Sequence, residues 1–450
     1  VASTFPGVIA FAFAAVMLLV GTVMRARVRL LQAGLVPASL IGGVVGFALV
    51  SFDFSFGFSA SDFTAFTFHC FTLSFMSLCL TGSAHGGRQV AWGGSWLAVV
   101  WVMSLALQAL AGLLVILAFN EVSAEPLSPF LGLLVTHGFT QGPGQALALG
   151  TIWENELGIA DAINFGLVYA SAGFIVAFAV GVPVARWAMR RGLNHNTNAR
   201  LDAEFLRGLY TQRDISTGSM VTHSANVDTL AYHIGILGFA YLLTDTWLNF
   251  VAPWTDGVTV GPVPIHIIFS HNLFFLHGLI VCLLLRTAID RAGLGHMIDD
   301  ETQRRITGSA VDMMVVTTIM SIQFAFLAAF LIPIVLVCLA ATASTAGLCF
   351  VFGKRLAHLG IERALTVFGC CTGSTGTGIL LLRILDPDLS GPIAKELAFF
   401  NIAILVLGFH ILTVMAPILP ALALSTIGLV YVGTLIAGAV ILWAMTKREN

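Results

Sequence analysis

Two short stretches hold most of the residues whose types and spacing could do chemistry. "THGFTQGPGQALALG" (136–150) contains Thr140, Gln141, Gly142 and Gly144, and "GCCTGSTGTG" (369–378) contains Ser374, Thr375, Gly376, Thr377 and Gly378. Glycine lets backbone approach a bound molecule closely, and the hydroxyl and amide groups are uncharged donors and acceptors. Neither stretch suits an uninterrupted helix, which glycine weakens and proline breaks. Where a helix breaks, its freed N–H groups form a partly positive end that favours a carboxylate. The freed carbonyls favour a hard cation such as Na+, with oxygens of Ser, Thr or Asn around it. Together the two stretches read as one site for a small anion and Na+, with the two tips facing each other. Taken singly, each could instead be a small-residue contact between packed helices.

Other candidates lie nearby in the chain. Arg383, five residues beyond Gly378, could clamp a carboxylate through paired hydrogen bonds or extend its head to the membrane surface. Asp312 is an acid inside an apolar run, about one turn from its start, and is a candidate Na+ ligand. A capping role at that helix start is the alternative. Asn401 and Asn164 follow the two stretches and could offer amide oxygens to Na+, or simply make packing hydrogen bonds. His69, His233, His271, His277 and His410 lie in or near apolar runs, where a proton relay or an ordinary satisfied histidine are both open. The seven cysteines show no metal-ligand or redox spacing, and disulfides are not indicated. No HExxH, paired catalytic acids, Ser–His motif or paired haem-ligand histidines stand out, so enzyme chemistry is not expected.

The elements that position these residues follow from composition. The chain is 58% hydrophobic and 10% charged, with a mean hydropathy of +0.94, outside the range of soluble domains. Apolar runs of about 20 residues recur throughout, long enough to cross about 30 Å of hydrocarbon. The fold class is an all-α polytopic membrane protein. Spans are expected near 5–24, 33–50, 63–82, 95–118, 163–185, 229–250, 263–285, 309–324, 328–352, 396–417 and 424–445, about eleven in all. The first run, Phe5 to Met24, is long enough to span and reads as a helix, not a cleavable signal. The lack of an initiator Met reads as a trimmed or engineered start.

With the N terminus outside and the C terminus inside, all 21 Lys and Arg residues fall in inner loops, as the positive-inside rule requires. That accounting holds only if 128–162 and 362–395 each enter and leave on one side, the first from the outer face and the second from the inner. Both are therefore expected to be re-entrant hairpins. A shift of 234 residues places Thr140–Gly144 on Ser374–Gly378 and Gly181-Val-Pro183 on Met415-Ala-Pro417. This suggests duplication. An odd number of spans per copy would invert the second copy, an architecture typical of transporters. The expected organisation is a first five-helix repeat (1–185), a cytoplasmic linker (186–228), an inverted second repeat (229–418) and an extra C-terminal helix (419–450).

The sequence resembles the bacterial glutamate–sodium symporters along most of its length. The resemblance rests on "GLLVTHGFTQGPGQALALG", "FGLVYASAGFIVAFAVGVPVARW" with its ending Val182-Pro-Val-Ala-Arg186, and "GCCTGSTGTGILLL" followed by "AFFNIAILVLGFHI". The first loop matches the family's Gly-Gly-His-Gly-Thr-Gly-Ala pattern only in its glycines and small residues, and differs at Gln141 and Pro143. The second has Thr and Ser where members often have Phe and Ala. The resemblance implies Na+-coupled symport of glutamate or a related small carboxylate in a bacterial inner membrane. It also implies a homodimer that moves substrate by an elevator-like displacement, with no nucleic-acid partner. The alternatives are a symporter of a different organic anion, a cation–proton antiporter with crossed broken helices, or a channel. The antiporter would need carboxylates at the crossing, and neither tip has one.

Overall fold

The computed structural model describes residues 5–81, 87–196, 201–209, 218–223, 225–261, 263–387 and 389–447. The main helices of the first half are α1 (Phe5–Arg27), α2 (Ala38–Ser51), α3 (Ser61–Leu80), α4 (Arg88–Asn120), α5 (Phe130–Phe139), α6 (Pro143–Asn155) and α7 (Ala162–Arg190). Those of the second half are α8 (Thr229–Thr255), α9 (Phe274–Arg291), α10 (Asp300–Met320), α11 (Leu331–Gly353), α12 (Gly360–Cys371), α13 (Thr375–Leu385), α14 (Ile393–Leu407) and α15 (Leu424–Thr446). One two-stranded antiparallel hairpin, Thr259–Val260 with Val263–Pro264, precedes α9. This is an all-helical polytopic membrane protein.

Among the described residues, eight helices are long and apolar enough to cross a membrane, or nine if α14 and the bent segment after it form one span. Two expected spans fall short for physical reasons. α2 has only 14 residues, and α10 opens on Asp300, Glu301, Arg304 and Arg305, which lower its hydropathy. α10 also starts well before the expected 309, because Asp299 caps it by accepting the Thr302 N–H at 2.9 Å. Asp312 is thus three turns into its helix, not one, and the capping role expected for it belongs to Asp299. The expected span 396–417 is broken instead. The chain bends by 52° between α14 and His410–Ala421 through one π-type turn, a common cause of sharp kinks.

The helices differ in what they touch. α8 and α15 are mostly exposed, whereas α4 and α7 are mostly buried, so the latter pair forms the interior against which other elements pack. α4 contacts α5, α11, α12, α14 and α15, and α7 contacts α5, α6, α11, α12 and α13. Where helices approach most closely, glycines face backbone. Examples are Gly21 of α1 against Ala38 and Gly42 of α2, and Gly112 of α4 against Gly132 of α5. In an apolar solvent such close approach is a main source of helix association.

Candidate functional site

The first stretch forms a helical hairpin that is buried almost throughout. α5 ends at Phe139, Thr140 and Gln141 turn, and Gly142 takes φ +87° before α6 begins at Pro143. That backbone conformation favours glycine, while proline is well placed at the first helical position because no donor is needed there. The second stretch repeats the plan. α12 ends at Cys371, and α13 begins at Thr375 with Ser374 as its cap, accepting the Thr377 N–H at 3.4 Å.

The two breaks touch. The Thr140 hydroxyl lies 2.8 Å from Cys371 O and 2.7 Å from Gln108 Oε1. Gln108, fully buried in the middle of α4, turns its Nε2 to Cys371 O at 2.9 Å and to Thr345 Oγ1 on α11 at 2.8 Å. A Cβ added at Gly142 would come within 3.5 Å of Gly373 O. One added at Gly173, on α7, would lie 2.9 Å from both Phe139 O and Thr372 O. Both breaks therefore lean on α7 at one point and are tied to α4 and α11 by one amide.

Charge follows from helix direction. α5 and α12 end here, presenting carbonyls and the negative ends of their dipoles, while α6 and α13 start here with N–H groups and positive ends. Several buried polar atoms around the first break have no hydrogen-bond partner among the described residues. They are Gln141 Nε2, Gln145 Oε1, Thr136 Oγ1, Tyr169 OH and both ring nitrogens of His137. Unpaired buried groups are costly, so an arrangement with several of them suits polar guests. The donors present are neutral oxygens and N–H groups. No cluster of three or more His, Cys, Asp or Glu able to hold a metal exists among the described residues.

Residues 4–379 match the family described as sodium/glutamate symporter. The chain belongs to that family. No curated protein matches it. In this member of the symporter family, Na+-coupled symport is the general activity and Na+ the coupling ion.

The structure brings some of the candidate residues together and separates others. Thr140, Gln141 and Gly142 form the first break, and Ser374 opens the second arm. Thr375 Oγ1 donates to Asn401 Oδ1 at 3.0 Å, so Asn401 does meet a tip. Gly144, Thr377 and Gly378 lie inside helices. Gly144 receives the Phe71 ring of α3, and Gly378 packs on Cys370 and Thr366 of α12. Gly376 is exposed, on one face of α13 with Leu380 and Arg383. The three candidate Na+ ligands do not converge. Asn401 is at Thr375, Asn164 reaches Asp161 ahead of α7 at 3.5 Å, and Asp312 faces Ser39 of α2. The five histidines singled out have ordinary partners: Tyr241 for His69, Thr229 O for His233, Asp245 for His271, Ile268 O for His277 and Thr434 for His410.

Sequence reasoning missed Gln108, Gly173 and His137. Gln108 carried a usable signal, being an amide in the apolar middle of a 33-residue helix, where polar groups are costly unless used. Gly173 carried none, since small residues are common along such helices. His137 sits edge-on to Trp153 at 6.2 Å.

Proposed function

We propose that this chain is a Na+-coupled symporter of glutamate or a related small carboxylate that works by alternating access. The observation that carries this reading is the meeting of two helix ends and two helix starts at Thr140–Pro143 and Cys371–Thr375. Substrate carboxylate is held by N–H groups at the starts of α6 and α13, with Gln141, Gly142, Ser374, Thr375 and Gly376 shaping the cradle, Thr140 bracing it, and Gly144, Thr377 and Gly378 setting how closely the two arms pack around it. Arg383 lies on the exposed face of α13 that also carries Gly376, and there it draws an anion toward the tip.

The topology we infer has eleven crossings, N terminus outside and C terminus inside. It has two inverted repeats, each with a re-entrant hairpin, in a bacterial inner membrane. Two observations support it. Shifted by 234 residues, each helix of the first half overlaps an element of the second, from α1 on α8 to α7 on α14 and the bent segment after it. The basic loops also touch one another. Arg25 donates to Phe205 O, Ser219 N–H to Asp299, Arg286 to Leu80 O, and Asn196 to Asp386. An elevator-like displacement of the hairpin-bearing part within a homodimer completes the reading, on the strength of the family resemblance.

The deciding experiment is uptake into proteoliposomes under an inward Na+ gradient, across a panel of amino acids and dicarboxylates. Glutamate or a close relative should accumulate only with Na+, and Ser374→Val should abolish uptake in protein that remains folded. Uptake indifferent to Na+ would overturn the coupling, and full activity in Ser374→Val would remove the second tip from the site.

A further inference from the structure

Cys371 closes α12, so its carbonyl is one of those that a helix end leaves to partners outside the ladder. Gln108 of α4 is that partner, its Nε2 donating to Cys371 O at 2.9 Å and to Thr345 Oγ1 of α11 at 2.8 Å. The other end of the same amide meets the first break, where Oε1 lies 2.7 Å from the Thr140 hydroxyl. Thr140 Oγ1 is itself 2.8 Å from Cys371 O, so amide, hydroxyl and carbonyl close a ring that joins the two breaks. Gln108, Thr140 and Thr345 are buried, and a buried group that loses its partner pays the full cost of desolvation. α4 gives the ring a fixed base, because one turn on Gly112 packs on the Gly132 backbone of α5. The second half has no copy of this side chain. Shifted by 234 residues, position 108 falls on Thr342 of α11, whose hydroxyl turns back to Cys338 O of its own helix. One residue thus serves both breaks, and it needs a donor and an acceptor together at the end of a side chain, which an amide supplies.

We propose that Gln108 is a positioning residue for symport: its amide fixes the Thr140 turn against the end of α12, and so sets how the N–H groups at the starts of α6 and α13 converge on substrate. This rests on the symport reading above and deepens it, by separating the residues that face substrate from the one that spaces them. Little chain lies between the ring and those N–H groups. α6 begins at Pro143, three residues after Thr140, and α13 at Thr375, four after Cys371. A shift at the ring therefore reaches both helix starts. Every group in the ring belongs to α4 or to an element packed on it. Its loss loosens the cradle and acts on substrate affinity, not on the movement that carries bound substrate.

The test is Na+-driven glutamate uptake by the full-length protein in proteoliposomes, with KM and maximal rate measured separately. Gln108→Met, similar in length but without donor or acceptor, should raise KM about 10-fold or more and leave the maximal rate within about 2-fold. Thr140→Val removes the hydroxyl from the same ring. Gln108→Met/Thr140→Val should therefore raise KM no further than the larger of the two single changes. Gel filtration and a thermal midpoint show whether each variant is folded. If Gln108→Met is not, Gln108→Asn decides, since it keeps the amide but is one methylene too short to meet both breaks. An unchanged KM in a folded variant, a loss confined to the maximal rate, or KM effects that multiply in the double variant would overturn the positioning role while leaving Na+ symport intact. Wild-type protein that takes up no glutamate under a Na+ gradient would instead sink the symport reading on which this role rests.

Discussion

Gly144→Ala offers a sharp test of how the first tip is enclosed. The added Cβ would lie 1.9 Å from Phe71 Cγ, 2.1 Å from Cδ1 and 2.3 Å from Phe71 Cβ. These atoms are the root of the side chain, so rotating the ring cannot clear them. Phe71 is 1% exposed and pinned by Phe75 at 4.5 Å and Phe275 at 5.2 Å between ring centres. Relief therefore requires α3 and α6 to part by about 1.5 Å before the pair reaches ordinary contact. Overpacking of this kind costs about 1–3 kcal/mol, and the upper end applies here because two helix backbones must move. The start of α6 would shift with them, and a displacement of about 1 Å at a binding site can cost about 100-fold in rate. Na+-driven uptake in proteoliposomes should therefore fall about 100-fold, with a lower thermal midpoint in detergent. Phe71→Leu should not rescue it, since Cβ and Cγ remain. Phe71→Ala should rescue it only in part, because the 2.3 Å approach to Cβ persists. Wild-type uptake and an unchanged midpoint in Gly144→Ala would refute the close approach of α3 to this tip.

Three further outcomes follow from other contacts. Arg363 holds Glu396 by two hydrogen bonds of 2.9 and 2.8 Å, both side chains nearly fully buried, with the guanidinium over Trp92. Arg363→Met should destabilise by about 3–5 kcal/mol, and Arg363→Met/Glu396→Met should recover much of the loss. An unfolding cycle giving strict additivity would count against the pair. Thr375→Val removes the hydroxyl that meets Asn401 and should weaken substrate binding, raising KM in uptake assays, while Thr375→Ser stays near wild type. At the loop after α13, partial desolvation pushes the Asp386 pKa up, but hydrogen bonds from Gly391, Ser390 and Asn196 outweigh it and hold the group below the ordinary carboxylate value. A depressed folded pKa contributes stability above the unfolded value of about 3.9 that is lost as pH falls through the folded one. The contact with the linker at Asn196 should thus hold at neutral pH and fail only on acidification below about 4. Asp386→Asn should flatten that part of a stability-against-pH curve.

The two glycine-rich stretches were legible in sequence because breaks in apolar runs leave an unmistakable composition. Their division of labour was not. Gly142 serves the turn, but Gly144 and Gly378 lie within helices and let Phe71 and α12 approach, so the small-residue alternative and the binding reading both apply, to different residues of one motif. The meeting point also falls three residues earlier in the second stretch than its glycines suggest, at Cys371 to Gly373 rather than Ser374 to Gly378, because the helical ladder of α12 stops there. Span boundaries slipped for a related reason. Hydropathy sees only the apolar part of α10, whereas its start is set by a cap and charged turns. The pairing of Gln108 with Cys371 joins residues 263 positions apart, and no local pattern encodes it. What local chemistry does encode is Pro143. A proline at the start of α6 takes a position where no N–H is needed, directly after the Gly142 turn that ends the first arm.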